Sequence, residues 1–364
     1  MERLFAKISI NTLNLENRFV RSATWEGLAT AEGAPTPRLV EMMGDLAAGG
    51  VGLIITSHSF VHPAGRATPR QLAVDRDECV PPLREMTQEV HRRGGKIACQ
   101  LAHAGRFADT GTSGHPPWSV SDDGGGGRVM THEDLDILCR SFAAAAARAK
   151  EARFDAVQIH SAHGYLLSQF LSPLFNRRKD EYGGGIENRA RIHQEIIAAV
   201  RSAVGEDFPI LVKINGGDHI EGGLTMEEAA AAARMMEEAG VDAVEVSGGL
   251  ITGGRLSPSR TRIDSPEKEA YFRKEAKAIK EVLRIPVILV GGIRSPLVAA
   301  DVLASGEADL ISMSRPFIRE PRLVERWRKG DATPARCVSD NLCFRPALEG
   351  KGVFCVTALR EGSV

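Results

Sequence analysis

The chain has 364 residues, with 46 Lys and Arg against 47 Asp and Glu and a formal net charge of −1. This length buries a large core and fits one large α/β barrel or two ordinary domains, while the balanced charge argues against a protein that coats nucleic acid. There is no run of about 18 apolar residues, so a spanning helix is not expected.

The N-terminus, MERLFAKISINTLNLENRF, meets charges too early for a secretory signal, and six cysteines in so long a chain do not read as a disulfide framework. A reducing cytoplasm is the expected location. A small hairpin over 5–16 is expected to close the bottom of the fold. Strands are predicted at 18–23, 51–56, 96–101, 155–160, 210–215, 242–247, 286–290 and 309–313. Helices are predicted between and after them at 36–48, 79–93, 133–151, 187–203, 226–239, 268–283, 296–305 and 319–329. Thr36 before Pro37, Thr131 before His132-Glu133 and Thr225 before Met226-Glu227-Glu228 read as N-caps. Strict strand–helix alternation repeated eight times predicts an α/β fold, a (β/α)8 TIM barrel, where six strands would have suited an open doubly wound sheet. The expected division is a barrel over 1–330 with a Cys-containing extension, 331–364, packed on it. Long excursions at 102–131 and 247–267 follow strands and therefore belong to the face where barrel active sites lie.

Alternation along the strands puts polar side chains on the inner face. Val157 and Ile159 oppose Gln158 and His160; Val212 and Ile214 oppose Lys213 and Asn215; Val244 and Val246 oppose Glu245 and Ser247; Gln100 opposes Cys99 and Leu101. An internal Lys213–Glu245 pair is one account of part of this set. For Gln100, His160 and Lys213 together, a polar ligand at the barrel mouth is the better account, since unpartnered burial of such groups costs several kcal/mol each. A flavin ring suits them: an amide meets both acceptors and a donor on its pyrimidine edge, and a Lys stabilises negative charge there. The seventh and eighth strands run into Gly291-Gly292-Ile293-Arg294 and Ser314-Arg315. In phosphate-binding barrels these two loops hold the phosphate, with Arg315 offering a guanidinium fork and Arg294 equally readable as a solvated side chain.

The loop after the fourth strand reads His160-Ser161-Ala162-His163-Gly164-Tyr165. No third ligand completes a metal site with the two imidazoles, so none is assigned. The catalytic reading has the imidazoles hold a carbonyl oxygen while Tyr165 delivers a proton. With this segment the sequence resembles the old yellow enzyme family of FMN-dependent NAD(P)H oxidoreductases. The resemblance is carried by Asn17-Arg18 before Val20-Arg21-Ser22, GLIIT at 52–56, QLAHAGR at 100–106, HSAHGYLLSQFLSP at 160–173, DEYGG at 180–184, VGGIR at 290–294 and SRPF at 314–317.

The resemblance implies an FMN barrel that reduces activated C=C bonds with NADH or NADPH. It places Ser22, Ala23, Thr24 and Trp25 along the flavin, with His58 touching it through its backbone. Gln100 and Lys213 fall on the pyrimidine, and Ser314 and Arg315 on the phosphate. His160 and His163 anchor the substrate carbonyl, and Tyr165 is the proton donor. The implied partner is a small activated alkene; neither nucleic acid nor a membrane is expected, and a homo-oligomer is left open. Trp25, Gly27 and His58 depart from the residues usual in relatives. Larger relatives hold a four-iron–four-sulfur cluster after the barrel. Here Cys337, Asp340, Cys343 and Cys355 stand in that register, with Asp340 in place of a cysteine, which reads as a degenerate remnant. Two alternatives remain: a flavin-dependent amine or alcohol dehydrogenase, and a flavin electron-relay protein whose partner meets the 331–364 tail.

Overall fold

Eight short β-rich runs, each followed by a helical stretch, close on themselves in the computed structural model, which describes residues 1–122 and 126–362. The strands are β1 (Phe19–Arg21), β2 (Leu53–Phe60), β3 (Ile97–Ala102), β4 (Ala156–Ser161), β5 (Ile210–Asn215), β6 (Ala243–Ser247), β7 (Val287–Val290) and β8 (Leu310–Met313). Each pairs in parallel with the next, and β8 pairs with β1 to close the barrel. The main outer helices are α1 (Pro37–Ala48), α2 (Val80–Arg92), α3 (His132–Glu151), α4 (Arg191–Val204), α5 (Met226–Glu238), α6 (Arg273–Val282), α7 (Pro296–Ala304) and α8 (Leu323–Arg328).

Alternation sorts the apolar strand residues into two clusters. Val157, Ile159, Val212, Ile214, Val244 and Val246 join the helices in the main core. Leu53, Ile55, Ala98, Ala156, Leu211, Ala243, Ile288 and Leu310 fill the lower axis, where the hairpin residues Ile10, Leu13 and Leu15 plug the floor. The lower barrel is therefore dry, and polar groups are confined to its upper half. Thr131 and Thr225 form full capping boxes with Asp134 and Glu228, and the Thr36 hydroxyl accepts from Leu39 N–H.

Several boundaries differ from expectation. The helix predicted over 187–203 is broken at Ala190 into Ile186–Arg189 and α4. The one predicted from 268 begins at Arg273, after left-handed Ala270. The last, 319–329, is two pieces, Arg315–Arg319 and α8, with Pro321 between them. β2 continues past Thr56 to Phe60 through a register shift between Ile55 and His58.

After α8 the chain returns across the barrel mouth. Ala335 N–H donates to Arg294 O, Arg262 N–H to Ser339 O and Val353 N–H to Glu26 O. Cys343, Ala347 and Val353 pack with Trp25, Met42, Ile318 and Phe344. Residues 363–364 of the expected extension and 123–125 of the excursion after β3 lie outside the described residues.

Beneath this tail, Arg21 donates to Ile55 O at 2.7 Å and to Glu26 Oε1 at 2.5 Å, with both side chains buried. Arg21→Met leaves the Glu26 carboxylate buried without its cation, which costs about 3–5 kcal/mol of stability. Urea unfolding should show that loss and its substantial recovery in Arg21→Met/Glu26→Leu. Equal losses in the single and double variants would contradict the pair's role.

Candidate active site

At the upper axis the inward polar residues of six strand ends satisfy one another. The Gln100 amide donates to Gln158 Oε1 at 2.8 Å, and the Gln158 amide donates to Glu245 Oε2 at 2.8 Å. Ser22 and Ser312 hydroxyls donate to Glu245 Oε1 at 2.8 and 2.7 Å. Lys213 Nζ donates to Ser22 Oγ at 2.7 Å and lies 3.4 Å from Glu245 Oε2. Burial pushes Glu245 up, but Lys213 and the three hydrogen bonds outweigh it, so its carboxyl is held below the ordinary value. The internal pair anticipated from sequence thus exists. It occupies the carboxylate fully but leaves the ammonium, which has three donors, with capacity for a ligand.

Above this layer lies a cavity of about 360 Å³, within the range of small-molecule sites. Of the residues singled out in the sequence, Ser22, Ala23, Thr24, Trp25, His58, Gln100, His160, His163, Tyr165, Lys213, Gly292, Ser314 and Arg315 all line it. Gly291 does not: it packs behind the wall against Phe272 and Tyr271. Gly292 has φ +73°, and a Cβ there would come within 2.5 Å of the Tyr271 ring, so the close approach requires glycine.

The HSAHGY loop is fixed from three sides. His163 adopts a left-handed conformation (φ +66°), its N–H donates to Asn215 Oδ1 at 3.0 Å, and its Nε2 lies 2.8 Å from Ser247 Oγ. Tyr165 precedes the short helix Leu166–Leu171, whose first N–H donates to His103 O. The rings of His160 and His163 meet edge to face at 5.2 Å, and Tyr165 lies 5.0 Å from His160. Burial first, then neighbouring imidazole and Lys213 charge, hold His160 well below 6.5; burial and Lys213 do the same to His163. Both are therefore neutral near pH 7. Burial pushes the Tyr165 phenol up, so it keeps its proton.

At the far end, Thr24 Oγ1 and Ser314 Oγ are 2.6 Å apart, and Arg315 Nη1 donates to Arg260 O and to Asn341 Oδ1 of the tail. Arg294 is not a solvated side chain. It donates to Ile263 O and Ala335 O, tying the excursion after β6 to the tail. Ser257, Pro258 and Ser259 from that excursion, with Phe344 from the tail, complete the wall. The length of the excursion was the only sequence signal for the loop residues, and nothing local pointed to Asn341 or Phe344. In the tail, Asp340 accepts from Leu342 N–H and Thr357 Oγ1, and Cys355 Sγ accepts from Ala358 N–H. Among the described residues, the one group of three ligand atoms close enough to share an ion is His132, Asp180 and Glu181, on the outer surface.

Burial pushes His58 to about 4 and His103 and His193 to about 3, in addition to His160 and His163. The unfolded chain binds these protons near pH 6.5 and the folded chain only lower, so stability falls as pH drops through 6.5 toward 4. Each proton contributes about 1.4 kcal/mol per pH unit. Urea midpoints at stepped pH should fall steeply across this window. Constancy down to pH 5 would contradict the neutral burial of these rings.

The cavity has a phosphate-type end, a basic and amide floor and an imidazole–phenol roof. Two of its lining residues carry buried polar atoms without a partner among the described residues, His160 Nδ1 and Trp25 Nε1. The profile of the NADH:flavin oxidoreductase / NADH oxidase family matches residues 3–333. The chain belongs to this family, that of old yellow enzyme. It is 38% identical over 349 residues to an NADH oxidase of Thermoanaerobacter brockii, covering 93% of this chain and 53% of that one. It is 36% identical over 322 residues to an NADPH dehydrogenase of Bacillus subtilis, covering 88% and 92%. The structure of a 2-naphthoyl-CoA reductase with 2-naphthoyl-CoA superposes with a TM-score of 0.88 at 26% identity, covering 97% of this chain and 56% of that one. The chain spans about half the length of the first curated relatives it matches. FMN, the family's cofactor, fits the donor set of this old yellow enzyme barrel: Gln100 and Lys213 for a pyrimidine edge, and Gly292, Ser314 and Arg315 for a phosphate.

Proposed function

We propose that the chain is an FMN-dependent NAD(P)H oxidoreductase that reduces the activated C=C bond of enones, enals or related small molecules. The observation that carries this reading is the convergence of His160, His163 and Tyr165 on one cavity above Gln100 and Lys213. Bound FMN would supply hydride chemistry between NAD(P)H and the alkene β-carbon. Gln100 and Lys213 would orient its ring and favour negative charge on it, and Gly292, Ser314 and Arg315 would hold its phosphate. The neutral imidazoles of His160 and His163 hold the substrate's carbonyl oxygen and polarise the double bond. Tyr165, kept protonated by burial, gives its Oη proton to the α-carbon, completing the addition. Trp25, Ile251 and Phe344 supply apolar wall. On this reading the enzyme works in the cytoplasm, where both nicotinamides are at hand.

Product analysis tests the reading. With NADPH or NADH and a simple cyclic enone, consumption of nicotinamide should match formation of the saturated ketone mole for mole. Oxidation of an amine or alcohol without nicotinamide, and no turnover of the enone, would overturn it in favour of a dehydrogenase.

A further inference from the structure

Among the described residues the phenol Oη of Tyr165 has one hydrogen-bond partner, and it is neither of the imidazoles assigned to the substrate. It lies 3.4 Å from His58 Nε2, and the two rings meet edge to face with centroids 5.4 Å apart at 74°. His58 reaches this position through the irregularity in β2. The register pairs Ile55 with Ala98 but His58 with Gln100, so one extra residue is accommodated between them. Ile55 faces the axis; strict alternation would send Ser57 there and turn His58 outward, and the bulge brings His58 to the cavity wall instead. The bulge is built in: Thr56 Oγ1 accepts from Gln100 N–H, and the buried Gln71 amide donates to His58 O at 3.0 Å.

A phenol that gives up its proton becomes a phenolate, in a site whose burial disfavours that charge. An N–H aimed at the oxygen strengthens as the charge develops. The His163 Nε2 is already engaged by Ser247, which leaves His58 as the group placed for this task. Burial pushes its imidazole down to about 4, so it is neutral and carries a single ring proton.

We propose that His58 is a positioning residue for Tyr165, holding the phenol oxygen through Nε2–H and stabilising the phenolate formed when the Oη proton passes to the substrate. The inference rests on Tyr165 being the proton donor. The Tyr165 O–H bond breaks, its electron pair stays on Oη, a C–H bond forms at the α-carbon, and water restores the phenol proton before the next turnover.

A double-mutant cycle on the FMN-loaded enzyme tests this, reading the rate at which the pre-reduced enzyme consumes an enone. His58→Phe keeps the edge-to-face ring without the N–H, and His58→Ala removes both. In the Tyr165 enzyme each should slow the step about ten- to hundredfold, the value of one hydrogen bond to a charge. In the Tyr165→Phe background the same changes should alter the rate less than about twofold, because no phenolate forms. His58→Gln, which keeps an N–H donor, should restore a large part of the loss. Equal slowing in both backgrounds overturns the His58 proposal while leaving Tyr165 as donor. If Tyr165→Phe alone does not slow the step, the donor reading fails and this one with it.

Discussion

Tyr165→Phe is expected to slow alkene reduction by about 10²- to 10⁴-fold, the range for loss of a positioned general acid. Reduction of the cofactor by NAD(P)H should change little, since that half-reaction moves a hydride and needs no proton from the phenol. The asymmetry follows from the site. Tyr165 sits at the roof beside His160, is held in its acid form by burial, and makes no hydrogen bond with the Lys213–Glu245 floor. The loss of one oxygen leaves the ring packed as before, so folding should be preserved. Stopped-flow measurement of each half-reaction separates the two. Equal slowing of both would place Tyr165 in cofactor binding instead.

Lys213→Met is expected to act twice. Among the described residues its ammonium is the one cation paired with Glu245, which has no exposure to solvent, so removal leaves that carboxylate with the hydrogen bonds from Ser22, Ser312 and Gln158. A stability loss of about 3–5 kcal/mol follows. The second effect is on the cofactor: on the proposed reading, loss of the Lys213 charge should leave FMN retained more weakly and reduced more slowly by NAD(P)H. The double variant Lys213→Met/Glu245→Gln separates them. It should recover most of the denaturation midpoint, because no buried charge is left unpaired, yet keep the defects in FMN retention and reduction. Recovery of both would make Lys213 a purely structural counter-ion.

The barrel and its polar axis were legible in the sequence because both rest on a period of two. Val157/Gln158/Ile159/His160 and Val244/Glu245/Val246/Ser247 announce their faces, and the structure places them so. The HSAHGY loop and the Gly292 and Ser314 turns were legible as polar or glycine-rich ends of apolar runs. His58 was reached through the family resemblance alone and not through alternation, because a one-residue bulge reverses the face that alternation assigns. Arg294, left open in the sequence between a phosphate end and a solvated side chain, could not be placed because its partners, Ile263 and Ala335, lie far along the chain. The contact of Asn341 with Arg315 escaped for the same reason: the tail's path over the barrel leaves no periodic trace. The break at Ala190 carries neither Gly nor Pro, so propensity favoured one continuous helix there.

The most direct test of the central claim is the visible spectrum of the purified protein under anaerobic conditions. The account predicts flavin bands that bleach on addition of NADH or NADPH and return on addition of an enone, with one enone consumed per flavin reoxidised. A protein that neither carries FMN nor takes it up, or whose bleached flavin is left reduced by every activated alkene, would contradict it.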